Sequence, residues 1–275
     1  MGIESTLAKV LVGSISAAVL VGLLSAIGLS IYVHSGGSLQ QLVRRTGPHA
    51  LWGAVHYVCV PAKHWLGVSP PCTLVDISKG KQNGYAVLRD IRGYSRFLVV
   101  PTQRISGIES DALMNADAPN YFAYAWQSRS VLEKRVGQSL PRDEIALAVN
   151  PQGNRSQDQL HIHVGCLKPD VRDALRSHQS EIGASWEPFP ITLVGTPYRA
   201  MRINAEELDG LNPFKVLAGG LPGAKQHMGN YTLAAVGATF ADGTHGFILL
   251  VADADSSGYA PQAEALLSDS YPPEN

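Results

Sequence analysis

Gln159-Leu160-His161-Ile162-His163-Val164-Gly165-Cys166 alternates polar and apolar residues with a period of two, the signature of a β-strand. Leu160, Ile162 and Val164 fall on one face and suit burial. Gln159, His161 and His163 share the other face, side by side. Two imidazoles and a carboxamide on one rigid surface make a poor core but a good site for a phosphate or a metal.

The neighbouring segments place this strand in a sheet. Ile145–Val149 reads as a preceding strand that closes at Asn150, and the polar turn Pro151–Ser156 leads from it into the histidine strand. Tyr85–Leu88 and Phe97–Val100 read as a hairpin turned near Gly93. Asn120 suits the N-cap of a helix running through Trp126 to Val136, with Gly137 at its end. Pro169-Asp170 opens another helix. Farther on, the pattern predicts a strand at Ile191–Val194, a short helix at Ala205–Leu211, and a hairpin pairing Tyr231–Val236 with Phe247–Val251 across Asp242-Gly243. Mixed elements joined by short turns favour an α+β fold with a mainly antiparallel sheet and packed helices. No glycine-rich dinucleotide or phosphate loop is present.

A chain of 275 residues accommodates one sizeable domain. The formal net charge of -1 gives no reason to expect a nucleic-acid partner. Charged residues make up 16%, below the usual ~25%, and part of the deficit is local because residues 10–33 carry no charge. As a helix, Val10–Val33 would extend roughly 36 Å at ~1.5 Å per residue, enough for a ~30 Å hydrocarbon core. A secretory signal has a shorter apolar region of ~7–15 residues and a small-residue cleavage site, so a single uncleaved N-terminal transmembrane helix is the preferred reading over a cleaved signal or a buried helix.

Lys9 precedes this span, and Arg44 and Arg45 follow it, so the positive-inside count does not favour an outside C-terminus. Cys59 and Cys72 bracket a Pro-rich segment that a disulfide would staple, contributing about 3 kcal/mol if unstrained. Such a bond persists only in an oxidising compartment; the alternative is two unrelated thiols. Cys166 would stay unpaired. The resulting division is a membrane anchor at residues 1–34, a linker and Pro/Cys loop region at 35–80, a catalytic domain at 81–260 and a flexible tail at 261–275.

Three readings compete for His161 and His163. A zinc site would need further ligands from His34, His49, His56, His64, His178, His227, His245 or a carboxylate, and no second cluster has ligand spacing. Two structurally satisfied surface histidines are the second reading. The third is nucleophilic catalysis on a phosphoanhydride.

Residues 159–166 resemble the histidine-triad motif, with Gln159 in its first histidine position. Further segments are similar to the CDP-diacylglycerol pyrophosphatases: Leu51-Trp52 with Cys59 and Cys72, Gly84–Asp90, Pro101–Ser110, Asn120-Tyr121-Phe122 with Ala125-Trp126-Gln127, His161–Arg172 and His227-Met228-Gly229. The resemblance implies a histidine-triad-like hydrolase that splits CDP-diacylglycerol into CMP and phosphatidate. His161 would be the nucleophile, forming a cytidylyl-histidine. An imidazole with a pKa of ~6.5 is largely neutral near pH 7, and its second nitrogen should donate to a backbone carbonyl. His163 would hold phosphate oxygens, and Asn150 and Ser156 would contact ribose or phosphate. Gln159 cannot carry charge or a proton, so it would orient the substrate. No cofactor is required on this reading; a divalent ion is left open. The site would meet CDP-diacylglycerol in the bilayer of a bacterial inner membrane, with the catalytic domain on the periplasmic side.

The broader alternatives are a nucleotidyl transferase or wider nucleotide pyrophosphatase, a catalytically silent nucleotide-binding membrane protein, and a metal protein. Lys168 and Arg172 read mainly as solvated charges, and Trp126 as core. Arg104 and His227 fit structure or substrate.

Overall fold

The computed structural model describes residues 47–90, 93–254, 259 and 261–272. The expected membrane helix at Val10–Val33 lies outside these residues. No helix among the described residues is long and apolar enough to cross a membrane.

The described strands form one sheet of nine: β1 (Leu74–Asp76), β2 (Tyr85–Arg89), β3 (Arg96–Pro101), β4 (Ile145–Val149), β5 (Ile162–Cys166), β6 (Glu187–Pro188), β7 (Arg199–Ile203), β8 (Tyr231–Thr239) and β9 (His245–Asp253). Their order is β1-β2-β3-β5-β4-β8-β9-β7-β6, and every pairing is antiparallel. The mixed architecture with a dominant antiparallel sheet is thus the expected α+β class. The histidine strand β5 sits centrally, between β3 and β4.

Residues on one face of the sheet, including Val87, Val99, Leu147, Leu160, Ile162, Val164, Leu233 and Leu249, pack into one core with Phe122, Trp126, Leu132 and Phe214. These last four come from helices α2 (Tyr121–Gln127), α3 (Arg129–Val136) and α5 (Pro213–Gly220). The opposite face is covered by two separate apolar patches. Ala146, Ala148, Ala234 and Leu250 pack with Val171 and Leu175 of α4 (Pro169–Ser177). Ala86, Val100 and Val75 pack with Val55, Cys59 and Val60. These belong to α1, a continuous run of Ala50–Gly53, a π-helical stretch Ala54–Cys59, and Val60–Leu66. His161 and His163 occupy the gap between those patches.

Local chemistry explains several boundaries. Asn120 caps α2 by accepting from the Ala123 N–H at 3.2 Å, as its sequence position predicts. The single helix expected to Val136 is divided at Ser128, whose hydroxyl donates to the Tyr124 carbonyl at 2.8 Å, a back-bond that bends helices. The expected helix at Ala205–Leu211 is absent. Asn120 Nδ2 takes the Leu208 and Leu211 carbonyls at 2.6 and 2.9 Å, and the helix instead starts at Pro213, with Asn212 accepting from Phe214 N at 3.1 Å. The expected strand at Ile191–Val194 is also absent. Positive φ angles at Val194 (45°) and Gly195 (78°) turn the chain tightly, leaving only an isolated Leu193–Thr196 bridge.

Two expected boundaries change. The 35–80 region supplies α1 and the edge strand β1 rather than a loop alone, and its Cys59–Cys72 disulfide ties the helix to the chain leading into β1. Residues 261–272 are not a loose tail: Ala263, Glu264, Leu266 and Leu267 are buried, and Ser268 N donates to the Cys166 carbonyl at 2.8 Å. Apolar side chains at 263, 266 and 267 outweigh the polar composition that follows them.

Candidate active site

His163 of β5 and His161 immediately before it place two imidazoles on the less covered face of the sheet, and register gives His163 room. His163 lies between Leu98 of β3 and Ala148 of β4, so a small methyl flanks it on one side. The rings of His161 and His163 meet edge to face with centroids 5.1 Å apart. Both residues are buried.

His161 stands just before β5, where the preceding backbone is held by a Leu160 N–H bond to the Ile105 carbonyl at 2.6 Å. Its Nδ1 lies 2.7 Å from the Gln159 carbonyl. A carbonyl only accepts, so Nδ1 carries the proton and the Nε2 lone pair is left for chemistry. Burial, and secondarily the neighbouring His163, pushes the His161 pKa down to about 4. The side chain is therefore a neutral imidazole over most of the accessible pH range.

This shift has a measurable consequence. The unfolded side chain takes up a proton below ~6.5 and the folded one only below about 4. Between these values the unfolded chain holds more protons, so this contribution to stability is complete above 6.5 and falls as pH drops toward 4. An imidazole ¹⁵N titration should find His161 neutral at pH 5.5 with its proton on Nδ1. A midpoint above pH 6 would overturn the assignment.

His163 is held differently. Its Nδ1 is 3.0 Å from Asp90 Oδ2 and 3.5 Å from Glu264 Oε2. Its Nε2 is buried and has no hydrogen-bond partner among the described residues. Nδ1–H thus donates to Asp90, and Nε2 is the atom that meets an incoming group. Glu264 is fixed in turn by Asn150, whose Nδ2 donates to Oε1 at 3.0 Å and whose Oδ1 accepts from the Glu264 N–H at 3.3 Å. Arg96 approaches Glu264 Oε2 at 3.7 Å and Asp269 at 2.9 Å, and it donates to the Ser268 and Leu267 carbonyls. The stem of Arg96 passes Gly165, its cross-strand partner, where an added Cβ would come within 3.3 Å of Arg96 Cγ and 3.2 Å of the Ser95 carbonyl.

Asp90, His163 and Glu264 each place a possible ligand atom within 4.8 Å of the others. That arrangement suits a divalent ion by donor type. However, an ion there would have to displace the Nδ1 proton and lie near the Arg96 guanidinium. The geometry fits a hydrogen-bonded carboxylate–imidazole pair better.

The other expected site residues are distributed unevenly. Asn150 lies at the site but clamps Glu264 rather than presenting a vacant amide. Gln159 is fully buried and faces the 101–105 loop: Nε2 donates to the Pro101 and Gln103 carbonyls at 3.2 and 3.0 Å, and Oε1 accepts from Ile105 N at 3.4 Å. Both amide protons are committed, so none is left to orient a phosphate. Ser156 is exposed on the preceding loop, and its carbonyl accepts from Gln157 Nε2 at 2.9 Å. Arg104 and His227 are exposed, Arg172 pairs with Asp173 and Glu144, and Trp126 is core, edge-on to Phe247. Cys166 is a buried free thiol pushed up to about 12, by burial first and Glu144 second, and is inert as a nucleophile.

The role of Gln159 makes a testable distinction. Gln159→Ala would take the amide donor from the buried Pro101 carbonyl and the half-buried Gln103 carbonyl, at about 1–3 kcal/mol, so it should lower the unfolding midpoint clearly while reducing turnover far less than His161→Ala. Equal losses of activity in the two folded variants would contradict this ranking.

Sequence reasoning missed Asp90, Glu264 and Arg96. Asp90 ends a readable strand within one of the segments quoted above. Glu264 carries no local signal, because only the docking of 261–268 beneath β4 and β5 makes it a site residue.

Comparison with known proteins gives the family. Residues 46–270 match the CDP-diacylglycerol pyrophosphatase family, and that span contains every side chain of the site. The CDP-diacylglycerol pyrophosphatase of Yersinia pestis is 41% identical over 206 residues, covering 75% of this chain and 78% of that protein. On both counts the chain belongs to the CDP-diacylglycerol pyrophosphatase family.

Proposed function

We propose that this chain hydrolyses the pyrophosphate bond of CDP-diacylglycerol to CMP and phosphatidate by histidine-triad-like covalent catalysis, with His161 as nucleophile. The observation that carries this reading is the Nδ1 bond to the Gln159 carbonyl, which leaves the Nε2 lone pair of a neutral imidazole for attack. Nε2 bonds to the cytidylyl phosphorus as the bond from phosphorus to the phosphatidate oxygen breaks. Water then displaces the histidine, and the P–N bond breaks to release CMP.

His163 supplies the proton movements. With Nδ1–H held by Asp90, a protonated His163 gives its Nε2 proton to the departing phosphatidate oxygen. The neutral ring that results accepts a proton from the attacking water, restoring the starting state. Asp90 stabilises the imidazolium, while Glu264, Asn150 and Arg96 fix the ring. No cofactor enters this scheme.

The disulfide supports an oxidising compartment, and with the uncharged run Val10–Val33 it supports a single-pass inner-membrane protein with a periplasmic catalytic domain. A one-helix tether would hold the enzyme on the surface that contains its lipid substrate, raising effective concentration without a new contact.

The decisive experiment is turnover of CDP-diacylglycerol by the full chain in detergent micelles in H₂¹⁸O. One ¹⁸O should enter CMP and none phosphatidate. Label in phosphatidate would place attack on the lipid phosphorus. Transfer of the cytidylyl group to an added alcohol at the expense of CMP would favour the transferase.

A further inference from the structure

Of the nine large hydrophobic side chains exposed among the described residues, six fall between Tyr57 and Leu74. Tyr57, Trp65 and Leu66 are 71%, 77% and 73% exposed, and all three lie on α1. The opposite side of that helix is committed to the sheet through Val55, Cys59 and Val60. The Cys59–Cys72 bond fastens its second half. An apolar face of this size, held rigidly outward, needs a partner.

Charge identifies the partner. Residues 5–75 contain no Asp or Glu, while Lys9, Arg44, Arg45 and Lys63 fall among them; 22 of the 23 acidic residues lie from Asp76 onward. Lys63 and His64 sit directly beside Trp65. Basic side chains flanking exposed Trp, Tyr and Leu on one helix match the composition of an interfacial membrane helix. Fourteen residues lie between Val33 and Pro48, a reach of at most about 50 Å, so α1 is within range of any bilayer that the uncharged run enters.

The same helix borders the site. Pro48 accepts from Asp158 N at 2.7 Å, and Leu51 N donates to Gln157 Oε1 at 2.8 Å, immediately upstream of Gln159-Leu160-His161.

We infer that α1 is a second membrane contact: Tyr57, Trp65 and Leu66 insert into the headgroup–acyl boundary of an anionic phospholipid surface. Docked this way, the first turns of α1 set the height of the histidine pair above the bilayer.

The test uses tryptophan emission and so does not depend on the proposed catalysis. Full-length protein is reconstituted into vesicles of phosphatidylglycerol and phosphatidylcholine carrying acyl-chain bromines. The emission component that Trp65→Phe removes should be quenched by the brominated lipid, more so with phosphatidylglycerol than with phosphatidylcholine alone. Tyr57→Ser with Leu66→Ser should abolish that quenching while His161-dependent turnover in micelles is retained. A Trp65 component that stays red-shifted and unquenched would overturn the proposal. So would one that is blue-shifted yet unquenched, which would mean that residues 1–46 or a second copy of the chain covers this face.

Discussion

Replacing His161 with alanine is expected to lower CMP release by at least about 10⁴-fold, because in the proposed mechanism His163 enters protonated at Nε2 as the acid and offers phosphorus no lone pair. His163 shares its face, and its Nδ1 is held by Asp90 and Glu264, which favours the imidazolium form that the acid role needs. Wild-type protein quenched with alkali during turnover of CDP-diacylglycerol labelled in the cytidylyl phosphate should retain label on His161, in an acid-labile P–N linkage. The alanine variant should retain none. Its circular dichroism should stay that of the folded protein, while its unfolding midpoint falls, since the buried Gln159 carbonyl loses its partner. A variant that keeps one tenth of its activity would mean that another group attacks.

The second large effect is expected at Asp90. Asp90→Asn keeps the size of the side chain but removes the charge that favours Nδ1–H and stabilises the His163 imidazolium. If the amide turns its NH₂ toward the ring, Nδ1 becomes the acceptor and the site loses its base at Nε2. A drop in kcat of about 10²–10⁴-fold follows if His163 serves as acid and base, with little change in KM because Asp90 is buried behind the ring. The readout that separates this from a structural role is the trapped intermediate. Cytidylate release needs a base for water, whereas phosphatidate is a good leaving group, so resolution should slow more than formation. The steady-state fraction of labelled enzyme should therefore rise in Asp90→Asn. A fall in both turnover and trapped label would assign Asp90 to positioning the nucleophile's neighbourhood instead. Glu264→Gln should have the smaller effect of the two, since its oxygen stands farther from Nδ1, at 3.5 against 3.0 Å.

The two variants also bear on a metal. If an ion used Asp90, His163 and Glu264 as ligands, Asp90→Asn and Glu264→Gln would lower metal content alike, and added divalent ion would restore part of the activity. The acid–base pair predicts no such rescue.

Much of the architecture follows from local pattern. The alternation around His161, the hairpin at Asp242-Gly243 and the caps at Asn120 and Pro169 each depend on interactions a few residues long, and backbone sterics and capping bonds enforce them wherever they occur. The places where the structure departs are those where distant groups compete for the same atoms. The Leu208 and Leu211 carbonyls go to Asn120 instead of to a helix of their own. Gln159 shares a face with the histidines by parity, yet its amide is claimed by the backbone of the 101–105 loop, because three buried polar groups there have to be satisfied.

The sequence by itself determined the antiparallel α+β class, the shared face of His161 and His163 and the family, since a period of two and an ordered set of motifs are properties of the chain alone. Only the tertiary structure decided that His163 works with Asp90 and Glu264, that Asn150 and Arg96 serve those carboxylates, and that α1 turns Tyr57, Trp65 and Leu66 outward. The reason is the same in each case. A buried charge is tolerable only where partners from other segments surround it, and which segments meet is settled by the packing of apolar faces over the whole sheet.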